Sequence, residues 1–316
     1  MTTSAPDVLV LGAGGILGEA WMSAVLAGIE SEAGFDAREC RAYVGTSAGS
    51  IVAAALAAGV RPDARLRRLP AQPPAASGGD PAHPAPAAGV SGVRRALGAT
   101  AAVYATAAAP VVALALSSAA PGGALVRRAA LGRLPRGRTS LRHLRHEVDR
   151  LAVEWDGRLR IAAVELESGR RVVFGADGAP EVPVADAVTA SCAIPGVFRP
   201  FSFGGRSYVD GGAWSLTNMD LAGVRRGDRV LCLNPTGGIG PNVGAAIAPV
   251  SRSVAAAEAV LLRGRGAAVD TVNPDRASVA AMGPNLMDPR PRDAVVAAGL
   301  AQGRRLGAGL AVAAAA

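Results

Sequence analysis

Short apolar runs alternate along the chain with longer segments of helical character. The runs of strand length cover residues 7–11, 43–44, 159–166, 170–174, 206–210, 229–234 and 267–272. Helical character is found at 19–33, 50–58, 141–154, 184–192, 249–263 and 292–314. Continuous apolar strands are typical of parallel strands that are covered on both faces. The alternation therefore predicts an α/β layered domain, with a strand hairpin where 159–166 and 170–174 are joined by a short turn.

This alternation is interrupted between residues 61 and 138. Residues 70–86 are rich in Pro and Ala, which predicts a linker without regular structure. Residues 97–120 carry no charge and are flanked by pairs of arginines, but alanine dominates them and Pro110 interrupts them. We expect a lid-like helical pair there, with a membrane span or a buried hairpin as alternatives. The whole chain, 1–316, is then a single domain with 61–138 as a variable insertion.

The composition permits a large core of small aliphatic side chains. Of the 316 residues, 50% are hydrophobic but only 3% are aromatic. Cys40, Cys192 and Cys232 are widely spaced and fit neither a disulfide framework nor a zinc site, which favours a reducing compartment. The first residues, 1–7, lack the basic segment of a secretory signal, so we expect a cytoplasmic protein.

The net charge of +8 is concentrated in one segment. Residues 61–150 contain 14 Arg against 4 acidic residues, whereas the rest of the chain is nearly balanced. Nucleic-acid binding would add interleaved aromatic residues or a known motif, and neither is present. We therefore expect 61–150 to make peripheral contact with an anionic surface such as the inner face of a phospholipid membrane.

A Gly-x-Ser-x-Gly pattern joins a strand to a helix at Gly45–Gly49. Such a junction predicts a nucleophile elbow, in which Ser47 has strained backbone angles and its side chain is exposed at the turn. Glycines on either side remove the Cβ atoms that would collide. The alternative is that Ser47 is an ordinary N-cap of the helix 50–58.

A glycine-rich loop, Gly12–Gly18, directly follows the first strand and precedes a helix. Backbone N–H groups in such a loop, together with the helix dipole, favour a negative charge, so the loop is a candidate oxyanion cradle. The alternative is a dinucleotide-binding fingerprint. That pattern requires a third glycine at position 17, which is Leu17, the glycine being displaced to Gly18.

A serine nucleophile needs a base, and histidine is the usual one. The three histidines lie in the Pro-rich stretch, at His83, or in the Arg-rich helix, at His143 and His146. Without a histidine a carboxylate must accept the serine proton, and the best candidate is Asp210, which ends a strand before two glycines. Its alternative role is to close the turn. We expect neither a metal nor a cofactor, since the two histidines beside Glu147 are more typical of a solvated helix face.

Four motifs in this order resemble those of the patatin-like phospholipase family. They are Gly12–Gly18, Gly45–Gly49, Ala190–Pro195 (Ala-Ser-Cys-Ala-Ile-Pro) and Asp210–Gly212. The resemblance implies a three-layer α/β/α fold with a mainly parallel central sheet, here with an inserted Ala/Pro/Arg-rich helical cap. It also implies a Ser47–Asp210 dyad and metal-free hydrolysis of phospholipid or other acyl-lipid esters. The oxyanion and substrate-binding residues that it implies are Gly12, Ala13, Gly14, Gly15 and Gly18.

The glycine loop departs from the family pattern at two positions. The first glycine of the usual Gly-Gly-Gly-x-Arg/Lys-Gly is Ala13, and the basic residue is Leu17. Ala13 still offers a backbone N–H. Two functions remain open: a serine lipid acyl hydrolase, or a weakly active lipid-binding or scaffold protein that retains the fold.

Overall fold

The computed structural model of the chain describes residues 5–68, 123–238 and 247–315. The linker expected at 70–86 and the helical lid expected at 97–120 lie outside the described residues. No helix among those described is long and apolar enough to cross a membrane.

The centre of the described structure is a mixed sheet. The first strand of the chain lies in its interior, and the neighbouring strands on both sides of it are parallel to it. The strands are β1 Val8–Leu11, β2 Ala42–Thr46, β3 Leu159–Glu165, β4 Arg171–Phe174, β5 Phe201–Phe203, β6 Arg206–Asp210, β7 Arg229–Leu233 and β8 Ala268–Val272. Their order in the sheet is β5-β6-β3-β2-β1-β7-β8, and β4 also pairs with β3. β1 is parallel to β2 and β7, β7 to β8, and β2 to β3, whereas β4, β5 and β6 make antiparallel pairs.

Helices cover both faces of this sheet. The described helices are α1 Gly15–Ala33, α2 Ala48–Ala57, α3 Pro62–Arg68, α4 Gly123–Arg133, α5 Arg142–Asp149, α6 Val184–Ser191, α7 Ile247–Gly264, α8 Arg276–Met282 and α9 Arg292–Ala315. On β1, Leu9 and Leu11 belong to the same buried cluster as residues of α1, α2, α6 and α9. Val8 and Val10 point to the other face, where they share a cluster with residues of α7. The expected three-layer α/β/α class is therefore confirmed.

The α4 helix packs on the same face as α7, farther along the sheet. Its Leu131 is buried with Val164 of β3 and Val209 of β6. Side chains alternate along a strand, so Val164 and Arg160 of β3 point to the same face of the sheet. Arg160 lies opposite Val44 of β2, and Val44 belongs to the buried cluster that contains residues of α7. The next residue pair, Ala163 and Asp210, therefore points to the face covered by α2 and α6.

The sequence pattern predicted the position of most of these elements but not all of their ends. The predicted hairpin of β3 and β4 is confirmed as an antiparallel pair. The helix expected at 141–154 is wrong in length, because α5 ends at Asp149 and the following turn places Ala152 at φ 49°. The apolar pattern continued into Val153 and Trp155, which pack on the core from outside a helix. The strand β5 was not predicted because only three residues form it.

Candidate active site

Ser47 lies at a sharp turn between β2 and α2, with backbone angles φ 52° and ψ −123°. Positive φ is strained for a residue with a side chain, so tight packing must hold it. A Cβ on Gly45 would lie 2.5 Å from the Cα of Ser50, and one on Gly49 would lie 1.9 Å from the carbonyl oxygen of Leu11. Gly45 is therefore required for α2 to fold back against β2, and Gly49 is required for the turn to close against β1.

The Ser47 side chain is not a helix cap. Ser47 occupies the N-cap position of α2 but makes no side-chain capping hydrogen bond. Its backbone N–H donates to the hydroxyl oxygen of Ser191, at 2.9 Å. The capping alternative therefore does not describe this serine.

The expectation that Ser47 is exposed is wrong. The residue is only 5% exposed. It is enclosed because the end of α6 and the end of β6 lie against the turn: Ser191 binds its backbone N–H, and its hydroxyl is near enough to the Asp210 carboxylate to lower the pKa of that group. The nucleophile elbow is therefore enclosed rather than open to solvent.

The topology of β3 explains how two distant chain segments meet here. β4 pairs with residues 161–164 of β3, which overlap both the residues paired with β2, 159–162, and those paired with β6, 163–165. A strand has two edges, so β4 occupies one edge of β3, and β2 and β6 share the other. The two sharing strands run in opposite directions, β2 parallel and β6 antiparallel to β3.

The carboxyl ends of β2 and β6 consequently face each other. β2 ends at Thr46, opposite Ala162, and β6 ends at Asp210, opposite Ala163. A Cβ on Gly211 would lie 2.3 Å from the carbonyl oxygen of Ala162, so the turn after β6 requires a glycine. This arrangement brings together Asp210 and the residue that follows Thr46, the serine of the elbow.

The Asp210 carboxylate lies in a dry environment. Burial raises its pKa from the ordinary 3.8 to about 6, and the Ser47 hydroxyl and the Gly212 N–H oppose this rise. The Gly212 N–H donates to Oδ1 at 2.7 Å. Asp210 therefore closes its turn, as the alternative interpretation held, and lies close enough to Ser47 for the serine hydroxyl to affect its pKa. A carboxylate with a raised pKa is a stronger base than an exposed one.

The glycine loop has fewer free donors than its sequence suggests. The N–H groups of Gly12, Ala13 and Gly18 donate to the carbonyl oxygens of Leu233, Leu216 and Gly14, at 3.0, 2.7 and 2.9 Å. The N–H groups of Gly14 and Gly15 have no acceptor among the described residues. The candidate donors for an oxyanion are thereby narrowed from five residues to these two.

The two free glycines fit only without side chains. A Cβ on Gly14 would lie 2.7 Å from the Pro235 ring, and one on Gly15, at φ +60°, would lie 2.7 Å from the Met287 sulfur. Leu17, where the family pattern has a basic residue, is fully buried in the core. The side chain at this position therefore contributes to packing, and no charge is present there.

A buried polar cluster supports the loop that follows Asp210. Asn218, at φ 48°, donates from its amide to the Thr46 hydroxyl at 3.1 Å and to the Ser215 carbonyl at 2.6 Å. The Glu258 carboxylate of α7 accepts from the Thr217 hydroxyl at 2.5 Å and from a backbone N–H at 2.8 Å. Burial raises the pKa of Glu258. This cluster fixes the loop whose Leu216 carbonyl holds the Ala13 N–H.

Sequence reasoning missed the roles of Ser191 and this polar cluster. The Ser191 hydroxyl donates to the Ala162 carbonyl at 2.7 Å and accepts from the elbow N–H, so it connects β3 to the elbow. The motif at Ala190–Pro195 marked the segment, but no local pattern shows which backbone groups its hydroxyl reaches. Asn218 and Glu258 carry no motif at all, since their partners lie far away along the chain.

The described histidines are exposed, whereas Ser47 and Asp210 are buried. His143 and His146 are exposed on α5, and His83 is outside the described residues. Within the described part of the chain no group of three His, Cys, Asp or Glu side chains is arranged to hold a metal ion.

Two solved structures share a limited likeness with the chain. VipD from Legionella pneumophila is 15% identical, with a TM-score of 0.44 over 96% of this chain and 67% of VipD. The type III effector protein ExoU is 15% identical, with a TM-score of 0.38 over 97% of this chain and 53% of ExoU, so the chain spans about half of its length. Likenesses of this extent carry no argument about activity. No curated protein matches the chain.

A family comparison gives a direct assignment. The family model described as patatin-like phospholipase matches residues 9–222. The matched range contains the glycine loop, the elbow at Ser47 and the strand that ends at Asp210, and it covers more than half of the chain. The chain therefore belongs to the patatin-like phospholipase family, a family of lipid acyl hydrolases.

Proposed function

We propose that the chain is a serine hydrolase that cleaves carboxylic esters of phospholipids or other acyl lipids, with Ser47 as the nucleophile and Asp210 as the base. The observation that carries this proposal is the proximity of the Ser47 side chain to the buried Asp210 carboxylate, whose pKa the serine hydroxyl lowers. The strained turn supports it, since strain of this kind persists where it positions a reactive group.

The first half of the reaction forms an acyl-enzyme. Asp210 accepts the proton of the Ser47 hydroxyl while Oγ attacks the ester carbonyl carbon. The carbonyl oxygen becomes an oxyanion, and the N–H groups of Gly14 and Gly15 donate to it. The C–O bond to the alcohol then breaks, the leaving oxygen takes the proton from Asp210, and the acyl group stays on Ser47.

The second half regenerates the serine. Asp210 accepts a proton from a water molecule, whose oxygen attacks the acyl carbon. The ester bond to Ser47 breaks, Oγ recovers the proton from Asp210, and the carboxylic acid leaves. Each proton removed by Asp210 is returned, so the cycle consumes one water and needs neither metal nor cofactor.

The proposed activity is tested with p-nitrophenyl acyl esters and with phospholipid vesicles. Wild type is compared with Ser47→Ala, Asp210→Asn and the control Ser253→Ala, whose serine is exposed on α7. We expect both site variants to lose activity by at least about 1000-fold, as removal of a nucleophile or base usually does, and the control to keep it. Equal rates in wild type and Ser47→Ala would instead support the alternative, a weakly active lipid-binding or scaffold relative. A product profile by lipid mass spectrometry identifies the ester that is cleaved.

We also infer that residues 61–150 make peripheral contact with an anionic membrane surface. Among the described residues of this segment, α4 exposes Leu125 and Val126, 69% and 53% exposed, next to the exposed Arg128. Apolar side chains beside a surplus of arginines are suited to the interface of an anionic bilayer. The cytoplasmic location expected from the sequence stays a prediction.

We further infer that 1–316 is one domain and that 61–138 is an insertion in it. The family match runs across the insertion. Elements beyond residue 222 complete the same sheet and helix layer, since β8 pairs with β7 and α9 packs on α1. The contact of α9 is close: a Cβ on Gly28 of α1 would lie 2.6 Å from the carbonyl oxygen of Leu300.

A further inference from the structure

Arg127 of α4 is a fully buried arginine with most of its donors unused. Its side chain lies on the sheet face opposite that of Asp210, with the guanidinium carbon 3.9 Å from the centre of the Trp214 ring. Nη1 donates to the Gly169 carbonyl at 2.6 Å. Nε and Nη2 are buried and have no hydrogen-bond partner. Buried donors without acceptors are rare in folded proteins, so these two call for an explanation.

The two unused donors form one edge of the guanidinium. Nε and Nη2 present parallel N–H groups, the arrangement that matches the two oxygens of a carboxylate or phosphate. The same edge holds carboxylates elsewhere in this chain: Arg38 binds Asp36, Arg65 binds Glu19 and Arg290 binds Asp288 through Nε and Nη2. At Arg127 the edge is free.

The charge around Arg127 is not balanced by the described residues. Arg171, whose guanidinium carbon is 5.0 Å from the same Trp214 ring, is itself bound by Asp220 through two contacts of 2.7 and 2.6 Å. No described carboxylate contacts Arg127. Burial lowers the pKa of Arg127 to about 10, and the Arg171 charge acts in the same direction. The arginine is still protonated at neutral pH, so one positive charge is buried here without a counter-ion.

We propose that the free edge of Arg127 is a binding site for an oxyanion, a phosphate or a carboxylate, separate from the Ser47–Asp210 site. Trp214 connects the two regions, because it contacts both arginines and follows Asp210 by four residues. The backbone N–H of Trp214 donates to the carbonyl of Gly211, in the turn that Asp210 closes. An anion at Arg127 therefore stabilises the segment that carries the proposed base, and it does so whether or not Asp210 is catalytic.

The ligand has three possible sources with the same chemistry: free phosphate, the phosphate of a lipid head group, or the carboxylate of a released acyl chain. Inorganic phosphate, glycerol 3-phosphate and octanoate represent them. The alternative to an external ligand is a counter-ion from the chain itself, and the one acidic residue within 69–122 is Asp80. The variant Asp80→Asn tests this alternative. If Asp80 binds Arg127 in wild type, only the variant has a free site for an added anion. If the ligand is external, the variant and wild type bind the anion equally.

The test is the thermal unfolding of the full chain against the concentration of each anion, at constant ionic strength set with chloride. Wild type, Asp80→Asn, Arg127→Gln, Arg127→Lys and the control Arg128→Gln are compared, Arg128 being exposed on the same helix. We expect the melting temperature of wild type, Asp80→Asn and the control to rise equally with at least one anion. In both Arg127 variants the affinity should fall by at least about tenfold.

Tryptophan fluorescence supplies a second readout that needs no change at Arg127. We expect the anion to change the emission of wild type and this change to disappear in Trp214→Phe. The proposal is overturned if no anion acts on wild type, if the Arg127 variants respond like wild type, if only Asp80→Asn responds, or if the fluorescence change survives in Trp214→Phe. Relative responses to the three anions identify which source is preferred.

Discussion

At the scale of single residues, the account depends on the environment of one carboxylate. The Asp210 carboxylate is buried, accepts from the Gly212 N–H and lies near the Ser47 hydroxyl, which lowers its pKa. An exposed aspartate, with a pKa near 3.9, is a weak base for an alcohol. Burial makes Asp210 a stronger base than an exposed aspartate, because it raises the pKa of this carboxylate to about 6. From this burial we predict how ester hydrolysis depends on pH and how a substitution of Asp210 changes the stability of the fold.

The first prediction concerns the pH dependence of ester hydrolysis. The base must be deprotonated, so kcat/KM should be constant above neutrality, reach half of its plateau near pH 6 and fall about tenfold per pH unit below that. The released acid is measured by chromatography, because the colour of p-nitrophenol depends on pH. A profile that stays flat down to pH 4 would exclude Asp210 as the base.

The second prediction is that Asp210→Asn increases stability at alkaline pH. The folded-state pKa is above the ordinary value, so the folded protein favours the protonated form. The stability associated with that form is present below pH 3.8 and is lost as pH rises through about 6. A neutral asparagine does not lose this stability. We therefore expect Asp210→Asn to raise the free energy of unfolding at alkaline pH by up to ~3 kcal/mol, the value that corresponds to a pKa difference of this size.

Chemical denaturation at pH 8 and at pH 4 tests this prediction. The variant should be more stable than wild type at pH 8, and the difference should be much smaller at pH 4. A variant that is less stable than wild type at pH 8 would show that burial of the Asp210 carboxylate does not destabilise the folded protein.

The sequence supplied the candidates for the nucleophile and the base but could not predict their surroundings. Local glycine spacing identified Ser47 and Asp210, since each turn needs glycines within two positions. Whether Ser47 is enclosed depends on α6 and β6, which lie far away along the chain, and the local pattern gave the wrong answer. The sequence also could not predict that Nε and Nη2 of Arg127 have no hydrogen-bond partner, because this depends on which residues pack around the side chain in the fold.

At the scale of secondary structure, the site exists because β2 and β6 share one edge of β3 and run toward each other. Apolar patterns predicted all three strands, but strand pairing is a long-range property that local patterns do not encode. Ser191 secures the junction, since its hydroxyl connects the Ala162 carbonyl of β3 to the Ser47 N–H.

We therefore predict that Ser191→Ala weakens both stability and catalysis. The change leaves a buried N–H and a buried carbonyl without partners, at a cost of about 1–3 kcal/mol. The loosened elbow should lower kcat more than it changes KM, because positioning of the nucleophile matters most in the transition state. Denaturation and steady-state kinetics are compared with Ser253→Ala, which should match wild type. If Ser191→Ala matches wild type in both measurements, the connection through Ser191 is unimportant.

At the scale of the whole molecule, positive charge and exposed apolar side chains coincide in one segment. Residues 61–150 contain 14 Arg against 4 acidic residues. The described structure exposes two pairs of large aliphatic side chains, Leu125 with Val126 inside this segment and Val260 with Leu261 outside it. The two pairs are similar in exposure and differ in the segment of the chain that carries them, so each serves as a control for the other.

We predict that replacing Leu125 and Val126 by serine weakens binding to anionic vesicles by at least about tenfold. The same replacement of Val260 and Leu261 should have little effect. Binding of the wild type should weaken as salt increases, because attraction to anionic lipid is screened. Co-sedimentation with vesicles at several salt concentrations measures both effects. Equal losses from the two pairs, or binding that is independent of salt, would contradict a contact through 61–150.

The central claim is that the Ser47 hydroxyl, activated by Asp210, is the nucleophile, and the most direct test is covalent labelling with a fluorophosphonate. Ser47 should displace fluoride and become the one phosphonylated residue found by peptide mass spectrometry, and Asp210→Asn should be labelled at least about 100-fold more slowly. Labelling at another residue, or esterase activity that persists while Ser47 stays unlabelled, would contradict the account.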